Sequence, residues 1–205
     1  MQAGERLCAV QEPTSELLFP TAGLVALLAL APDGRSVGAA LLGAEGAVGA
    51  AVALGLGQSP WDALVVANGT YEAMPAATFR QLCAGEPEFH KAAAAYARTL
   101  FELSTEALAC ARYHEIGSRV AKWLVLLDDR ARLDPVAPTV ELLTTLLGVA
   151  AEVLPPVIER VDGLAVLTLD EDTDDAELAG PVLVAVRDRA ALERRACACL
   201  VTARR

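Results

Sequence analysis

Positively charged side chains are scarce in this sequence of 205 residues. Lysine and arginine together number 17 against 27 aspartates and glutamates, which gives a formal net charge of −10 at pH 7. Proteins that bind nucleic acids usually have the opposite balance, because contacts to phosphate oxygens need Lys and Arg. The composition argues against a large phosphate-binding surface, and any direct contact with DNA has to overcome this charge.

Histidines and aromatic residues are also few. The chain has two histidines, His90 and His114, and its aromatic content is 4%. The histidines lie at opposite ends of one predicted helix, which disfavours a compact Ser/His/Asp triad, and we predict no enzymatic activity. Apolar residues still make up 54% of the chain, mostly as Ala, Leu and Val, so the chain as a whole is not disordered.

The cysteine pattern is too sparse for a disulfide-stapled secreted domain. The five cysteines are odd in number and widely scattered: Cys8, Cys83, Cys110, Cys197 and Cys199. An iron–sulfur cluster needs about four convergent thiolates, and only Cys8 lies near the N-terminus. The short Cys197–Cys199 pair, with no histidine nearby, does not specify zinc. We predict no metal and no cofactor, and expect buried thiols.

Uninterrupted hydrophobic runs of membrane-spanning length are lacking as well. The most apolar stretch, residues 37–56, contains Glu45 and several glycines, which fits short strands and turns better than a spanning helix. Residues 1–5 lack the basic region and apolar run of a signal peptide. Together with the reduced thiols, these features predict a cytoplasmic protein without a membrane partner.

Residues 1–86 have the pattern of a small β domain. Short apolar runs cover 24–30, 37–42, 47–54 and 63–66, and turn residues such as Pro32-Asp33-Gly34 and Asn68-Gly69 separate them. Strands of this length at regular spacing predict a small antiparallel barrel or sandwich. Pro75 is expected to open a short helix that reaches about Ala84.

Residues 87–115 predict one long helix with a narrow apolar seam. Apolar or small residues recur at alternating steps of four and three: Phe89, Ala93, Tyr96, Leu100, Leu103, Ala107 and Cys110. This spacing is the a/d pattern of a coiled coil, and it favours a homodimer interface. The alternative is a long amphipathic helix that packs on its own β domain.

Residues 116–205 have the order helix, helix, turn, helix, hairpin. Helices are predicted from Ile116 onward, from Pro138-Thr139 to Leu147 and from about Ala150 to Val161, with hairpin strands at 163–169 and 181–186 and a last helix over 189–199. This is the layout of a winged helix-turn-helix. The fold class is therefore α+β: an N-terminal antiparallel, jelly-roll-like β-roll, a long dimerisation helix and a C-terminal winged helix.

Several local segments resemble the Crp/Fnr superfamily of bacterial transcription regulators. They are Phe19-Pro20 with Gly23–Val25, Asp33–Val37, Gly43–Gly49, Arg119–Leu124, Leu143–Val149 and Ala196–Leu200. The resemblance covers nearly the whole chain and implies a dimer with a cyclic-nucleotide-binding-like barrel and a DNA-reading domain. It divides the chain into 1–86, 87–115 and 116–205.

The expected ligand pocket departs from that family. Ligand-binding members hold a cyclic phosphate with a short helix, an arginine and a glutamate. Here Ala50, after Gly49, stands at the glutamate position, and Asp62 stands at the arginine position. An aspartate repels a phosphate, so we predict a degenerate pocket at Gly49, Ala50 and Asp62 that does not bind cyclic nucleotides.

The predicted DNA-binding half of the chain also departs from the pattern of that family. Ala150, Ala151 and Glu152 follow the turn where relatives carry arginines, and Pro155-Pro156 is expected to interrupt the helix. The predicted wing carries six acids between Asp170 and Glu177, and residues 116–205 contain 11 Lys and Arg against 15 Asp and Glu. The DNA-contact candidates that remain are Thr139, Thr145, Ala150 and Arg160.

Two functional hypotheses follow from these observations. The first is a dimeric Crp/Fnr-like transcription regulator that does not respond to cyclic nucleotides and binds DNA weakly or not at all. The second is a dimer that has lost DNA binding and modulates another regulator, such as a paralogue, through protein contacts. The resemblance favours the first, and the charge pattern favours the second.

Overall fold

The computed structural model describes residues 1–130, 138–168 and 182–204. The chain forms two compact units, Met1–Leu108 and Ala109–Arg205. The boundary between the units falls inside the long helix, not at either of its ends.

The first unit contains a four-stranded antiparallel sheet in the order β1-β4-β2-β3. The strands are β1 (Arg6–Cys8), β2 (Glu16–Leu30), β3 (Ser36–Leu42) and β4 (Asp62–Pro75). The long strands β2 and β4 pair from Glu16 opposite Pro75 to Leu28 opposite Asp62. Residues 24–28 of β2 are all buried, so both faces of the middle of this strand are covered.

One of the predicted strands is wrong. Residues 47–54 do not form a strand; Ala50–Leu54 is a 3-10 helix. Gly49 and Gly55 flank it with φ angles of 86° and 77°, a left-handed conformation that ends extended pairing on both sides. The predicted turn at Pro32-Asp33-Gly34 is confirmed, since Gly34 N donates to Ala31 O at 2.9 Å.

The helices of the first unit follow the sequence pattern. Helix α1 (Ala76–Gly85) begins after Pro75, and helix α2 (Pro87–Tyr113) begins as predicted and ends two residues before the predicted end. Phe79 of α1 and Phe89 of α2 pack edge to face at 5.1 Å between ring centroids. Leu100 of α2 is 2% exposed and belongs to the same core cluster as the strand residues Val25 and Leu42.

The second unit is built around a buried helix. Helix α3 (Ile116–Arg130) is buried from Gly117 to Leu127 except at Ser118. Helices α4 (Val140–Leu147), α5 (Leu154–Ile158), α6 (Arg189–Arg195) and α7 (Cys199–Ala203) pack against it. Strands β5 (Leu164–Thr168) and β6 (Val182–Val186) form the predicted antiparallel hairpin, and Thr139 bridges to Leu183 beside it.

Two predicted helices of this unit are divided in the structure. The segment expected from Ala150 to Val161 consists of a 3-10 helix, Ala151–Val153, and the short helix α5. Pro155 and Pro156 lie in the first turn of α5, where a missing N–H has no helical partner to lose. The tail expected as one helix is broken at Ala196, whose ψ of 145° is extended. Asp134-Pro135 and the acidic run lie outside the described residues.

No single described helix combines the length and hydropathy that a membrane span needs. One pair of segments, Val140–Leu147 with Ala151–Ile158, meets the criterion by length and composition when taken together, and it is bent by 106°.

Candidate functional site

A cavity of about 280 Å³ opens inside the first unit. Its walls come from the sheet, from the loop and 3-10 helix around residues 44–50, and from α1 and α2. The lining is mostly apolar and aromatic, and among the described residues that line it none carries a positive charge. The charged group is Glu45, whose carboxylate accepts a hydrogen bond from Gly43 N at 3.0 Å.

The aromatic residue Tyr96 closes the cavity from the helix side. Its hydroxyl accepts a hydrogen bond from Ala47 N at 2.8 Å and donates to Ala47 O at 3.3 Å. Both backbone polar groups of Ala47 are therefore bonded to α2 through one side chain. Tyr96 was predicted to contact a partner subunit, and the structure places it against its own β-roll.

The three predicted pocket residues do not form one group. Ala50 lines the cavity, whereas Gly49 and Asp62 are not among the described lining residues. Asp62 is 4% exposed and anchors the N-terminal segment: its carboxylate accepts from Val10 N at 2.7 Å and lies 3.5 Å from Arg6 Nε. This pairing gives the buried carboxylate a structural role.

The predicted seam of α2 is largely occupied within the first unit. Phe89 and Ala93 pack on one core cluster, and Tyr96, Leu100 and Leu103 pack on another. Leu100 is already buried by its own chain, so a partner would add little burial there, and its place in a dimer interface stays a prediction. Ala107 is half-buried, and Cys110 is buried in the second unit.

A different stripe of α2 is open to solvent. Phe101 and Leu108 are 71% and 72% exposed, and Ala94, one heptad before Phe101, is half-buried. Apolar residues at heptad spacing on one exposed face are typical of a helix that pairs with another helix. The observed stripe is displaced by one residue from the predicted seam.

The helix-turn-helix candidates are on the surface of the second unit. The Thr139 hydroxyl caps α4 by accepting from Leu142 N at 3.0 Å, and the Thr145 hydroxyl donates to Glu141 O at 3.0 Å. Ala150 and Arg160 are exposed. Both threonine hydroxyls are thus bonded within α4, and the exposed residues between Ala150 and Arg160 include two acids, Glu152 and Glu159.

Several arginines of this unit are already paired with carboxylates. Arg204 Nε donates to Asp129 at 2.7 Å and its terminal guanidinium nitrogen donates to Glu193 at 2.6 Å; the former bond raises the pKa of Arg204, and the latter lowers the pKa of Glu193. Arg189 is paired with Asp128 and Asp129. Cations held in such pairs contribute less to a phosphate-binding surface.

Four potential metal ligands meet in the second unit: Cys110, His114, Cys197 and Cys199. Their ligand atoms all lie within 4.8 Å of one another. Cys110 Sγ is 3.6 Å from Cys197 Sγ, and Cys199 Sγ is 3.6 Å from His114 Nδ1. The expectation that no histidine lies near the Cys197–Cys199 pair is therefore wrong, because the fold brings His114 to it.

A hydrogen bond between the two buried thiols of this cluster shifts their pKa values in opposite directions. Contact with Cys197 lowers the pKa of the Cys110 thiol to about 4, with smaller contributions from His114 and the positive charge of Lys122, while burial opposes the shift. The same contact raises the pKa of Cys197. The contact therefore favours the thiolate form of Cys110 and the thiol form of Cys197.

The sequence held one signal for this cluster. Cys110 and His114 are four residues apart, so they lie on one face at the end of α2, and His114 N still donates to Cys110 O at 3.2 Å. The sequence does not show that the fold places Cys197 and Cys199 next to that face of α2. All five cysteines lie in the described ranges, and none forms a disulfide.

No protein-family model matches the sequence, and no curated protein is similar enough to count as a relative. Solved structures do match. The structure of FixK2 from Bradyrhizobium japonicum is similar with a TM-score of 0.69 at 14% identity, over 96% of this chain and 95% of that one. TTHB099, a CRP-family transcriptional regulator from Thermus thermophilus, matches with a TM-score of 0.70 at 19% identity, over 96% and 95%.

A third match, the c-di-GMP responsive global regulator CLP of Xanthomonas campestris, has a TM-score of 0.65 at 14% identity, over 90% of this chain and 91% of that one. Matches of this extent cover both units. The chain has the Crp/Fnr fold. Within the Crp/Fnr fold, the cavity lies in the β-roll unit, and the helix-turn-helix and the Cys/His cluster lie in the C-terminal unit.

Proposed function

We propose that this protein is a dimeric transcription regulator of Crp/Fnr type that does not respond to cyclic nucleotides and binds DNA only weakly by itself. The observation that carries the proposal is the Crp/Fnr fold over nearly the entire chain, since two of its structural matches are transcriptional or global regulators. The winged helix-turn-helix supplies the element that reads DNA in this architecture.

The β-roll cavity supports the loss of the cyclic nucleotide response. A cyclic phosphate needs a cation and hydrogen-bond donors, and the described lining of this cavity offers Glu45 as its charged group. Ala50 has no carboxylate for a ribose hydroxyl, and Asp62 is paired with Arg6. We infer that an apolar cavity of this kind suits a small apolar ligand better than a nucleotide.

Calorimetry tests this part of the proposal. Titration of the full-length protein with cyclic AMP and cyclic GMP at millimolar concentration is expected to give no heat of binding. The variant Glu45→Gln removes the carboxylate and leaves the apolar lining in place, so it should likewise give no heat of binding. A dissociation constant in the micromolar range for either nucleotide would overturn the proposed insensitivity.

Weak direct DNA binding is supported by charge. The exposed surface between Ala150 and Arg160 offers one cation and two acids, and the predicted wing adds six acids in sequence. Arg160 alone can supply about one phosphate contact per subunit, and each contact contributes a log–log salt slope of about −0.9. We therefore infer a low affinity for duplex DNA with a shallow salt dependence.

A charge-neutralising variant tests this inference. Asp170, Asp172, Asp174 and Asp175 are replaced together by Asn, and binding to a random-sequence duplex is followed by fluorescence anisotropy over a salt series. The expected result is higher non-specific affinity, because phosphate repulsion falls. A control variant makes the same change of charge in the first unit, by replacing four exposed residues with Gln: Glu16, Glu72, Glu86 and Glu88.

The control variant should raise affinity less than the wing variant does. Tight, salt-sensitive and sequence-selective binding by the unaltered protein would contradict the proposal of weak direct contact. Absence of binding even at low salt, in both the parent and the wing variant, would instead favour a dimer that acts on another regulator through protein contacts.

A further inference from the structure

The Cys/His cluster of the second unit shares no residue with the described lining of the β-roll cavity or with the DNA-contact candidates. It joins two places in the chain: Cys110 and His114 at the end of α2, and Cys197 and Cys199 at the start of α7. Cys197 N donates to Ser118 O at 3.3 Å, which fixes the second place against the start of α3.

The spacing of the four ligand atoms fits a single tetrahedral ion. Atoms held about 2.3 Å from a zinc ion by sulfur and about 2.0–2.1 Å by nitrogen, at tetrahedral angles, lie about 3.8 Å apart for sulfur pairs and about 3.6 Å apart for sulfur and nitrogen. The measured separations are 3.6 Å for Cys110–Cys197 and 3.6 Å for Cys199–His114, and every pair is within 4.8 Å.

The donor set selects the kind of metal. Three sulfurs and one imidazole nitrogen match the Cys₃His sites of structural zinc, and soft thiolates disfavour magnesium and calcium, which prefer oxygen. A multi-iron cluster binds its cysteines through different iron atoms, which requires ligands farther apart than these. One ion of zinc type is the occupant that this geometry accommodates.

Burial and charge are also consistent with a bound cation. Cys110 and Cys197 are 3% and 9% exposed, whereas His114 and Cys199 are half-buried, so two ligands are in the interior and two form a route to solvent. Three thiolates around a divalent ion leave one net negative charge. Lys122, which is 4% exposed and attracts the Cys110 thiolate electrostatically, offsets that charge.

We propose that Cys110, His114, Cys197 and Cys199 form a zinc-binding site that ties the end of α2 to the start of α7. Binding requires that the thiols release their protons, and the ion then forms three bonds to sulfur and one to nitrogen without any change of oxidation state. The site is closed by four protein ligands, which is typical of a structural and not a catalytic zinc ion.

Metal titration of the full-length protein tests the proposal. The reduced protein, stripped with a chelator, is titrated with Co²⁺, followed by displacement with Zn²⁺. The expected result is one equivalent of Co²⁺ with the visible absorption of tetrahedral cobalt and a thiolate charge-transfer band, both lost when zinc is added. The thermal midpoint of unfolding should rise with zinc, because the metal binds only the folded site.

Variants at the two half-buried ligands test zinc binding with little risk of unfolding the protein, because these side chains contribute less to the core. His114→Gln and Cys199→Ser should each lower zinc affinity by at least ~100-fold, since loss of an outer partner alone costs about 10–100-fold. The matched control, Cys83→Ser, removes a cysteine of the first unit and should leave stoichiometry and affinity unchanged. Circular dichroism of each metal-free variant checks that the fold is retained.

Three outcomes would overturn the proposal. The first is a reduced parent protein that takes up no metal at stoichiometric concentration. The second is binding that survives both His114→Gln and Cys199→Ser but is lost in Cys83→Ser. The third is a Cys110–Cys197 disulfide, detected by mass spectrometry under non-reducing conditions, in a protein that still binds no metal after reduction.

Discussion

Individual glycines determine how closely the two long strands of the β-roll approach each other. Gly23 in β2 has a φ of 82°, and a Cβ atom there would lie 2.6 Å from the carbonyl oxygens of Ala67 and Asn68. Gly34 has nearly the same φ, 84°, but a Cβ atom there would meet nothing within 4 Å. Because the two glycines have nearly the same φ, comparing them distinguishes the cost of backbone strain from the cost of a steric clash.

Replacing each of these glycines by alanine should therefore have different effects. Gly34→Ala adds left-handed strain alone, about 1–2 kcal/mol. Gly23→Ala adds the same strain and a clash with backbone, so its loss of stability should be larger by about 1–3 kcal/mol. Urea unfolding in a Trp123→Phe background, where Trp61 reports on the first unit, measures both. Equal losses would show that the close approach is relieved at little cost.

The Cys/His cluster shows where residue-level prediction stops. The sequence identified Cys197 and Cys199 as a pair and His114 as a helical residue, and from sequence proximity it predicted no metal. Cys199 and His114 are 85 positions apart, so only the folded topology of α3, α6 and α7 brings them together. Local spacing predicts partners within a few residues, and this site depends on contacts that are not local.

At the scale of secondary structure, strong local signals predicted the elements well. Helix α2 begins at the predicted residue and ends two residues before the predicted end, because proline at its start and an unbroken run of helix-forming residues strongly favour a helix. The strand predicted over residues 47–54 was wrong because an apolar run of this length fits a strand or a buried helix equally well. The acidic run on the predicted wing lies outside the described residues, so its role stays a prediction.

Thr139 is expected to act through the helix it caps. Its hydroxyl accepts a hydrogen bond from Leu142 N, a backbone donor in the first turn of α4 that has no partner within the helix. The Thr145 hydroxyl instead donates to the carbonyl oxygen of Glu141, a backbone acceptor of the same helix. Thr139→Ala should lower the stability of the second unit by about 1 kcal/mol, and Thr139→Ser should retain most of it. Thr145→Ala, the matched control, should be nearly neutral. Thermal unfolding measures all three.

The opposite ranking of the two alanine variants would show that the cap bond contributes little. In that case, Thr139 would be open to a role at the DNA surface, as the sequence alone had indicated. Equal behaviour of Thr139→Ser and Thr139→Ala would point the same way, because serine keeps the oxygen that accepts the hydrogen bond.

At the scale of the whole molecule, the long helix presents two apolar faces with different environments. The predicted seam is covered by the β-roll of the same chain, with Leu100 at 2% exposure. The neighbouring stripe carries Phe101 and Leu108, more than two-thirds exposed. The sequence predicted a seam at heptad spacing, and periodicity does not say which of two adjacent stripes the chain itself covers. That choice depends on the tertiary fold.

We therefore expect the homodimer to close through Phe101 and Leu108. The double variant Phe101→Glu/Leu108→Glu would place two charges in that interface, and it should sediment as a monomer while its circular dichroism stays that of the parent. Tyr71→Glu, a charge placed on a 40% exposed aromatic residue of β4, is the control and should remain dimeric. Sedimentation velocity over a range of concentrations gives the measurement.

The two faces of α2 make this test selective. A charge at Leu100 would damage the core of the first unit, so loss of dimer there would say nothing about an interface, whereas Phe101 and Leu108 have little core contact to lose. A parent protein that is monomeric at high concentration, or a double variant that remains dimeric, would contradict the expected interface. In the second case the dimer must close through a surface other than this stripe, because two buried, unpaired carboxylates at its centre would not be tolerated.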